Sequence, residues 1–575
     1  MGIKHFFTWF KTNFSEYIYK LSKKTLDDIE VNVDNLVIDM NGIIHNSTQK
    51  VYEYGSYKKP ERLLKVFTRA KRINTTQKNI EVFQDICESI ENIFIIVKPK
   101  KRLILCIDGP APLSKQNQQR QRRFRSAMES SISKDSFDRN SITPGTKFMG
   151  YLNKYIDWYI RERISHDEDW RNIEIIFSND KVCGEGEHKG LNYIRYHGIP
   201  SETFCINGLD ADLIMLALGT HLPNFYILRE DLYDPSNDYL LINIGRVHKE
   251  LSKMLQWHSD EYKYNETKSI NDFVFLCFMV GNDFLPHIPS IEIIENGIEL
   301  IVEIYKEVGT SYGHITREHK GIVKFNLKPM HAFLATIGQH EKENFEHKLS
   351  KKQSCFPDPL LESCSKQDST GKWSVDIEKY KREYHSSCFD ANYSAKKLCH
   401  EYLEGMQWVL SYYTRGVPSW EWCFKHHYAP HASLLSEYIK TFKFVSYDTT
   451  DPTPPFLQLL CVLPPKSASL LPNPLNKLLT DEDSPLKAHC PDDFEIDLRG
   501  KRKEWEGIVL LPIVDIDLVR KTYFEYIDHV LPNEIQRNIR GRTTKYSYSN
   551  LSSYTFKSYY GDIPFCKVKS IAFDL

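Results

Sequence analysis

The feature that most constrains the fold is a unit that recurs through the first ~310 residues: a short apolar, β-branched run halting at an acidic or turn residue. It occurs as Leu36-Val37-Ile38 before Asp39, Leu103 to Ile107 before Asp108, and Ile173 to Phe177 before Ser178. Phe204-Cys205-Ile206 before Asn207-Gly208 and Phe225 to Leu228 before Arg229 repeat it. Runs this short, bounded by turn formers, read as buried strands. Between them, 79–97, 113–131, 147–164 and 210–219 carry helical patterning. Strands alternating with helices predict an α/β fold with a central, largely parallel sheet flanked by helices.

In such sheets functional groups gather outside the carboxyl ends of the strands. Asp39 and Asp108 stand at two of those ends, and Glu185-Gly186-Glu187 follows a third in SNDKVCGEGEHKG. Asp210-Ala211-Asp212 opens the helix LIMLAL, and Asp283 lies in VGNDFLPH at the close of a strongly apolar helix. Any one of these acids alone reads as an N-cap or turn former. Seven together would repel one another, and each would be driven toward its neutral form unless a cation compensated. Hard divalent ions, Mg²⁺ or Mn²⁺, suit carboxylate oxygens, and a pair of them serves phosphodiester cleavage.

Directly after Asp108 comes GPAPLSKQNQQRQRRFR, in which residues 111–125 hold five cations and no acid. On a helix Lys115, Gln119, Arg122 and Arg123 share one face. That face presents an ammonium, an amide and two guanidinium forks, a cradle for a phosphate. A solvated surface helix is the usual reading of a charge run, but this one lacks the acids that surface pairing would supply. The patches Lys98 to Arg102 and Arg69 to Arg72 read as surface.

Composition narrows the class. Lys+Arg 75 against Asp+Glu 76 excludes a histone-like polycation, and 41% hydrophobic residues exclude disorder over most of the chain. Thirteen cysteines without a C-x-x-C indicate neither a zinc module nor a disulfide framework. The start MGIKHFFTWF lacks a signal-peptide pattern, and no apolar run reaches membrane-spanning length. The expectation is a soluble protein, cytoplasmic by default with the nucleus left open. The Lys/Glu/Ser-rich stretch 311–400, which includes Cys355 and Cys364, reads as a partly irregular connection. The proline-crowded 452–491 reads as extended and turn structure, and the last ~65 residues, with the Arg/Tyr/Ser-rich 537–560, as loop or a weakly ordered extension.

The motifs then meet a family. LVIDMNGIIH, IDGPAPLSKQNQQRQRRFR, FDRNSITPGTKFM, FSNDKVCGEGEHK, GLDADLIML and FLCFMVGNDFLPH follow MGIKHFFTWF in order. MQWVLSYYTRGVPSWEW, HHYAP, QLLCVLPP and WEGIVLLP continue the series. In these the chain resembles the XRN family of 5′→3′ exoribonucleases over most of its length. The resemblance implies a PIN/flap-nuclease-like domain over 1–310 and a connecting segment over 311–400. A mainly helical second region over 401–530 would wall off the site, with an extension over 531–575, in a compact member without large C-terminal domains.

It also implies that Asp39, Asp108, Glu185, Glu187, Asp210, Asp212 and Asp283 bind metal, two ions in all. Lys115, Gln119, Arg122 and Arg123 would hold a 5′ monophosphate. His45 would stack on the first base opposite Trp420 or Trp422, with Trp420 preferred. The activity implied is processive release of nucleoside 5′-monophosphates from single-stranded RNA bearing a 5′ monophosphate, by a monomer, downstream of a decapping activity. Lys4, where the family has Pro, and Cys423 to His427 after the paired Trp depart from the pattern. The rival readings are a 5′ flap or exonuclease on DNA, and an RNA-binding scaffold without turnover. The basic helix and the Trp-rich second region weigh against the first, and the complete acid set against the second.

Overall fold

The computed structural model describes residues 5–57, 75–129, 137–231, 238–351, 356–390, 393–447, 450–551 and 553–574. Lys4, Cys355 and the Arg69 to Arg72 patch lie outside these. Nine strands form the main sheet: β1 (Ile18–Lys20), β2 (Asn35–Asp39), β3 (Arg102–Cys106), β4 (Glu174–Ser178), β5 (Phe204–Asn207), β6 (Phe225–Glu230), β7 (Tyr239–Asn243), β8 (Thr543–Tyr548) and β9 (Val568–Phe573). Their order is β1-β7-β6-β5-β2-β3-β4-β8-β9. The five central strands, β6-β5-β2-β3-β4, run parallel, and the outer four pair antiparallel.

Each apolar run alternates its side chains between two layers, as period-two strands must. Val37, Ile104, Ile176, Ile206 and Ile227 point into one core. Leu36, Ile38, Leu103, Leu105, Ile175 and Phe177 point into the other. Burying each such side chain contributes about 1.5–3 kcal/mol, which pins the register. That register sets Asp39 opposite Cys106 and Ile38 opposite Asn207. Asp39, Asp108 and Asp210 therefore emerge along one edge of the sheet.

The helices that matter for the site are α1 (Phe6–Asn13), α2 (Met40–Tyr52), α3 (Thr75–Val97), α4 (Leu113–Glu129), α5 (Lys147–His166), α6 (Gly186–His197), α7 (Asp212–Leu218) and α8 (Glu266–Cys277). Farther along come α9 (Leu327–Lys351), α10 (Ala395–Thr414) and α11 (Pro455–Val462). Helices α8, α9 and α10 share the first core with the sheet, so the later half of the chain packs directly on the strand-bearing half. A smaller core joins Leu113, at the start of α4, to Phe456, Leu459 and Leu460 of α11. Among the described residues no helix is long and apolar enough to cross a membrane, and the cysteines are free.

Three expectations are corrected. The 311–400 segment is not irregular: it holds the 25-residue α9 and the hairpin Thr316–His319/Ile322–Phe325. Met330, Phe333, Leu334, Ile337 and Phe345 bury one face of α9, while Lys and Glu on the other dilute the apolar signal. The proline-rich stretch is helical rather than extended. Pro455 begins α11 and Pro465 a 3₁₀ turn, each at a first-turn position where the missing N–H costs nothing. The 537–560 region is not loop either, because β8 pairs with β4 and closes its open edge. Tyr546 is buried there, donating to Asp157 at 2.6 Å.

Candidate active site

Asp39 caps α2, accepting from the Asn41 N–H at 3.3 Å. The Asn41 side chain in turn accepts from the Asp108 N–H at 3.1 Å, tying the two strand ends together. Asp108 Oδ1 accepts from the Gly186 N–H at 2.6 Å, which draws the Glu185-Gly186-Glu187 turn over the sheet edge. A Cβ on Gly186 would lie 2.7 Å from Asp39 Oδ1, so only glycine permits this approach. Lys189, buried on α6, donates to the carbonyls of Ile107 (2.7 Å) and Asn179 (2.8 Å) and locks the helix to the end of β3.

These contacts close a pocket of about 170 Å³ lined by Asp39, Asp108, Glu185, Glu187 and Asp210. His45, Lys115, Gln119 and Arg122 line its other side. One carboxylate oxygen from each of Glu187, Asp210 and Asp212 lies within 4.8 Å of the others. Asp212 and Asp283 are not among the residues lining this pocket. Asp212 belongs to the carboxylate group just named, and Asp283 accepts from Lys115 Nζ at 2.8 Å. The same ammonium contacts Glu185. Lys115 thus spends its charge among the acids, whereas the sequence placed it on the phosphate face alone.

The electrostatics follow from burial and crowding. Burial, then Asp108 and Asp210, push the Asp39 carboxyl well up. Burial, then Asp212 and Asp210, do the same to Glu187. Burial and the neighbouring Asp210 and Asp283 raise Asp212 to about 7. Burial raises Glu185 against the pull of Lys115. Asp283 is the exception: burial favours its neutral form, but the Lys115 ammonium overcomes this and holds it low. Carboxylates so poised lack positive charge. Asp212 Oδ1 is buried and accepts no hydrogen bond among the described residues. An all-oxygen set with an orphaned acceptor fits a hard divalent cation.

On α4 the expected face divides. Lys115, Gln119 and Arg122 reach the pocket. Arg122 is exposed, while Arg123 is buried with its Nη1 unpartnered among the described residues. Burial, then Arg122, lower Arg123 to about 9. Arg120 is structural, donating to the Cys461 carbonyl at 3.2 Å. On α2, burial and then Arg122 bring His45 down to about 3, so its ring stays neutral. Trp422 stacks on Trp408 at 5.2 Å and packs against the core. Trp420 is half-buried, its carbonyl accepting from the Leu113 N–H at the start of α4.

Several groups escaped the sequence reading. Tyr412, on α10, donates to Glu185 at 2.7 Å, and the Tyr413 hydroxyl approaches Asp212 at 3.5 Å. His188 stacks on Tyr412 at 3.9 Å, nearly parallel. In sequence WVLSYY is indistinguishable from an ordinary core helix, and nothing in it points to acids more than two hundred positions away. Asn41 and Lys189 lay inside recognised motifs but resembled helix-surface residues.

A nine-stranded α/β sheet with a buried carboxylate cluster at its strand ends defines a class, that of α/β folds with a candidate cation site at the carboxyl ends of a parallel sheet. Comparison with known proteins makes it particular. Residues 1–231 match the model for the XRN 5′-3′ exonuclease N-terminus, and 263–371 with 361–560 match that for the Xrn1 helical domain. The chain belongs to the XRN 5′→3′ exonuclease family.

It is 29% identical to 5′-3′ exoribonuclease 1 of Saccharomyces cerevisiae, over 98% of this chain and 46% of that one. It is 31% identical to human 5′-3′ exoribonuclease 1, over 90% of this chain and 33% of that one. To the 5′-3′ exoribonuclease 2 homolog of Drosophila melanogaster it is 29% identical, over 94% and 73%. The chain therefore spans less than half the length of the yeast and human relatives. A solved structure, the catalytic core of Rad2 with DNA substrate, aligns over 76% of this chain at 13% identity and a TM-score of 0.33.

Proposed function

We propose that the chain degrades single-stranded RNA from a 5′-monophosphate end, releasing nucleoside 5′-monophosphates one at a time. One observation carries this reading: Lys115, Gln119 and Arg122 line the same pocket as five of the acids. A terminal phosphate held there puts the next phosphodiester against the carboxylates. The small volume, about 170 Å³, favours a bare monophosphate over a cap. Arg122 would bind the phosphate as a guanidinium fork, with Gln119 and Arg123 completing the cradle. His45, held neutral by burial, would stack on the first base opposite Trp420, a contact blind to sequence because every base has a π-face.

Asp39, Asp108, Glu185, Glu187, Asp210, Asp212 and Asp283 would hold divalent ions, two Mg²⁺ or Mn²⁺. Such ions, when bound, generate a nucleophile from water and offset charge on the leaving oxygen. Lys115 orients Glu185 and Asp283. Tyr412 fixes Glu185 from the opposite side. The 3′ side of the cut bond becomes a new 5′-phosphate end, which refills the cradle and makes the reaction processive. The substrate would be supplied by a reaction that exposes a 5′ monophosphate, such as decapping, and the protein would act as a monomer without a membrane.

The test incubates the protein and Mg²⁺ with matched 5′-monophosphate, 5′-hydroxyl and capped RNAs and a 5′-phosphorylated DNA. Mononucleotides should appear from the first alone at an appreciable rate. Equal loss of the capped RNA would refute the phosphate cradle. Preferential loss of the DNA would replace the reading with a DNA exonuclease. Binding without products would leave a scaffold.

A further inference from the structure

The motif FDRNSITPGTKFM contributes no residue to the lining of the acid pocket, yet it carries two exposed cations. Lys147 is paired with Glu534 at 2.8 Å. Arg139 pairs with no carboxylate among the described residues. Its hydrogen bond there runs from Nη2 to the Ser126 carbonyl, at 3.3 Å. A guanidinium has about five N–H donors, so one carbonyl leaves most of them to spend.

The turn that presents Arg139 is anchored. Asp138 caps it, accepting from the Asn140 N–H at 2.9 Å. The buried Asn140 side chain donates to Ser467 at 2.9 Å, and its carbonyl accepts from the Thr143 hydroxyl at 2.7 Å. Phe137 packs on Tyr52 of α2, ring centres 4.6 Å apart.

The place of Arg139 follows from α4. Ser126 stands three residues past Arg123 and four past Arg122, so it lies on their side of the helix. It is about 6 Å farther along the axis than Arg122. The charge of Arg139 bears on the His45 ring, as do those of Arg122 and Arg123. His45 and Arg122 line the pocket, so three guanidiniums converge on one end of it. Arg123 is buried, and its Nη1 donates to nothing among the described residues. Cations crowded in this way favour an anion among them. The neighbouring acids are spent: Asp138 caps its own turn, and Glu129 accepts from Arg125 at 2.8 Å.

Building on the exonuclease reading above, we propose that Arg139 is a further ligand of the 5′-terminal monophosphate, closing on the oxygens that face away from the acids. Lys115 is tied to Glu185 and Asp283, which leaves the guanidiniums to balance the anion. A phosphate monoester carries a charge of about −1.5 to −2 near pH 7, more than a phosphodiester, so an added cation at this end selects the terminal group. No bond is made or broken in this step.

The test is competition between matched 5′-monophosphate and 5′-hydroxyl RNAs for the protein in EDTA, read by fluorescence anisotropy. Arg139→Gln should narrow the preference for the phosphorylated strand about fivefold, as loss of one charge-assisted contact at an exposed rim implies. Its affinity for the 5′-hydroxyl strand should stay at the wild-type value. Arg139→Lys, which keeps the charge and loses the fork, should recover part of the preference. Arg139 is exposed, so both variants should melt with the wild-type protein. A preference unaltered in Arg139→Gln overturns the proposal. Equal weakening of both RNAs also overturns it, because it would move Arg139 to an interior phosphate. If the wild-type protein itself shows no preference, the 5′-phosphate reading fails, and this inference with it; a wild-type preference that Arg139→Gln leaves intact sinks this inference alone.

Discussion

Asp212 shows how much of the site rests on single residues. Its carboxyl titrates at about 7 because it is buried beside Asp210 and Asp283. An unfolded Asp titrates near 4. The ion-free folded state therefore binds more protons than the unfolded one between those values. Its contribution to stability is present below about pH 4 and is lost as pH rises through 7. A divalent ion competes with that proton, so its affinity rises over the same window. The gain in Tm on adding Mg²⁺ or Mn²⁺ to EDTA-treated protein should grow from pH 6 to pH 8 by differential scanning fluorimetry. A gain independent of pH would exclude Asp212 as a ligand. Asp210→Ala should lower mononucleotide release by more than about 100-fold, with the fold retained by circular dichroism.

Tyr412 makes a finer prediction. Its hydroxyl is the neutral donor that orients Glu185. Tyr412→Phe keeps the ring stacked on His188 and removes only that donor. Activity should fall about 10–100-fold, the range for lost support of a metal ligand, with Tm nearly unchanged. Wild-type turnover in this variant would show that Lys115 alone suffices to hold Glu185.

At the scale of the element, α4 does two jobs with opposite faces. One face meets the acid pocket, and the other is glued to α11 through Arg120 and the Leu113 core. Arg122 is exposed at the pocket rim, so its replacement spares the fold. Arg122→Ala should narrow the preference for 5′-phosphate over 5′-hydroxyl RNA by about tenfold or more, as expected for one charge-assisted contact. Competition between the two RNAs would measure it, and an unaltered preference would move phosphate binding elsewhere. The amphipathic pattern made α4 legible in the sequence. The same pattern named Lys115, Gln119 and Arg122, which reach the pocket; what it did not show is that Lys115 turns to the acids and Arg123 is buried away from the lining, choices made by neighbours remote in sequence.

On the scale of the whole molecule, the region after 540 is part of the nuclease sheet. It covers the edge of β4, the strand that leads into Glu185. The Gly541 N–H donates to the Lys181 carbonyl, within the turn that precedes the acids. Deleting 541–575 should lower Tm by at least about 5 °C and promote association through the bared edge. Melting curves and light scattering would register both, and an unchanged Tm would mean that β8 and β9 only decorate the sheet.

What the sequence alone determined was the five parallel strands at the centre of the sheet, their acidic termini and the basic helix, because strand periodicity, turn chemistry and local charge are encoded within a few residues of each position. The order of the motifs also carried the family. What only the tertiary structure decided was which groups share space. Tyr412 at Glu185, Lys115 between two carboxylates, Trp422 committed to the core against Trp408, and the tail strands on β4 all join segments far apart in the chain. Such pairings follow from the packing of whole layers, and no local pattern records them.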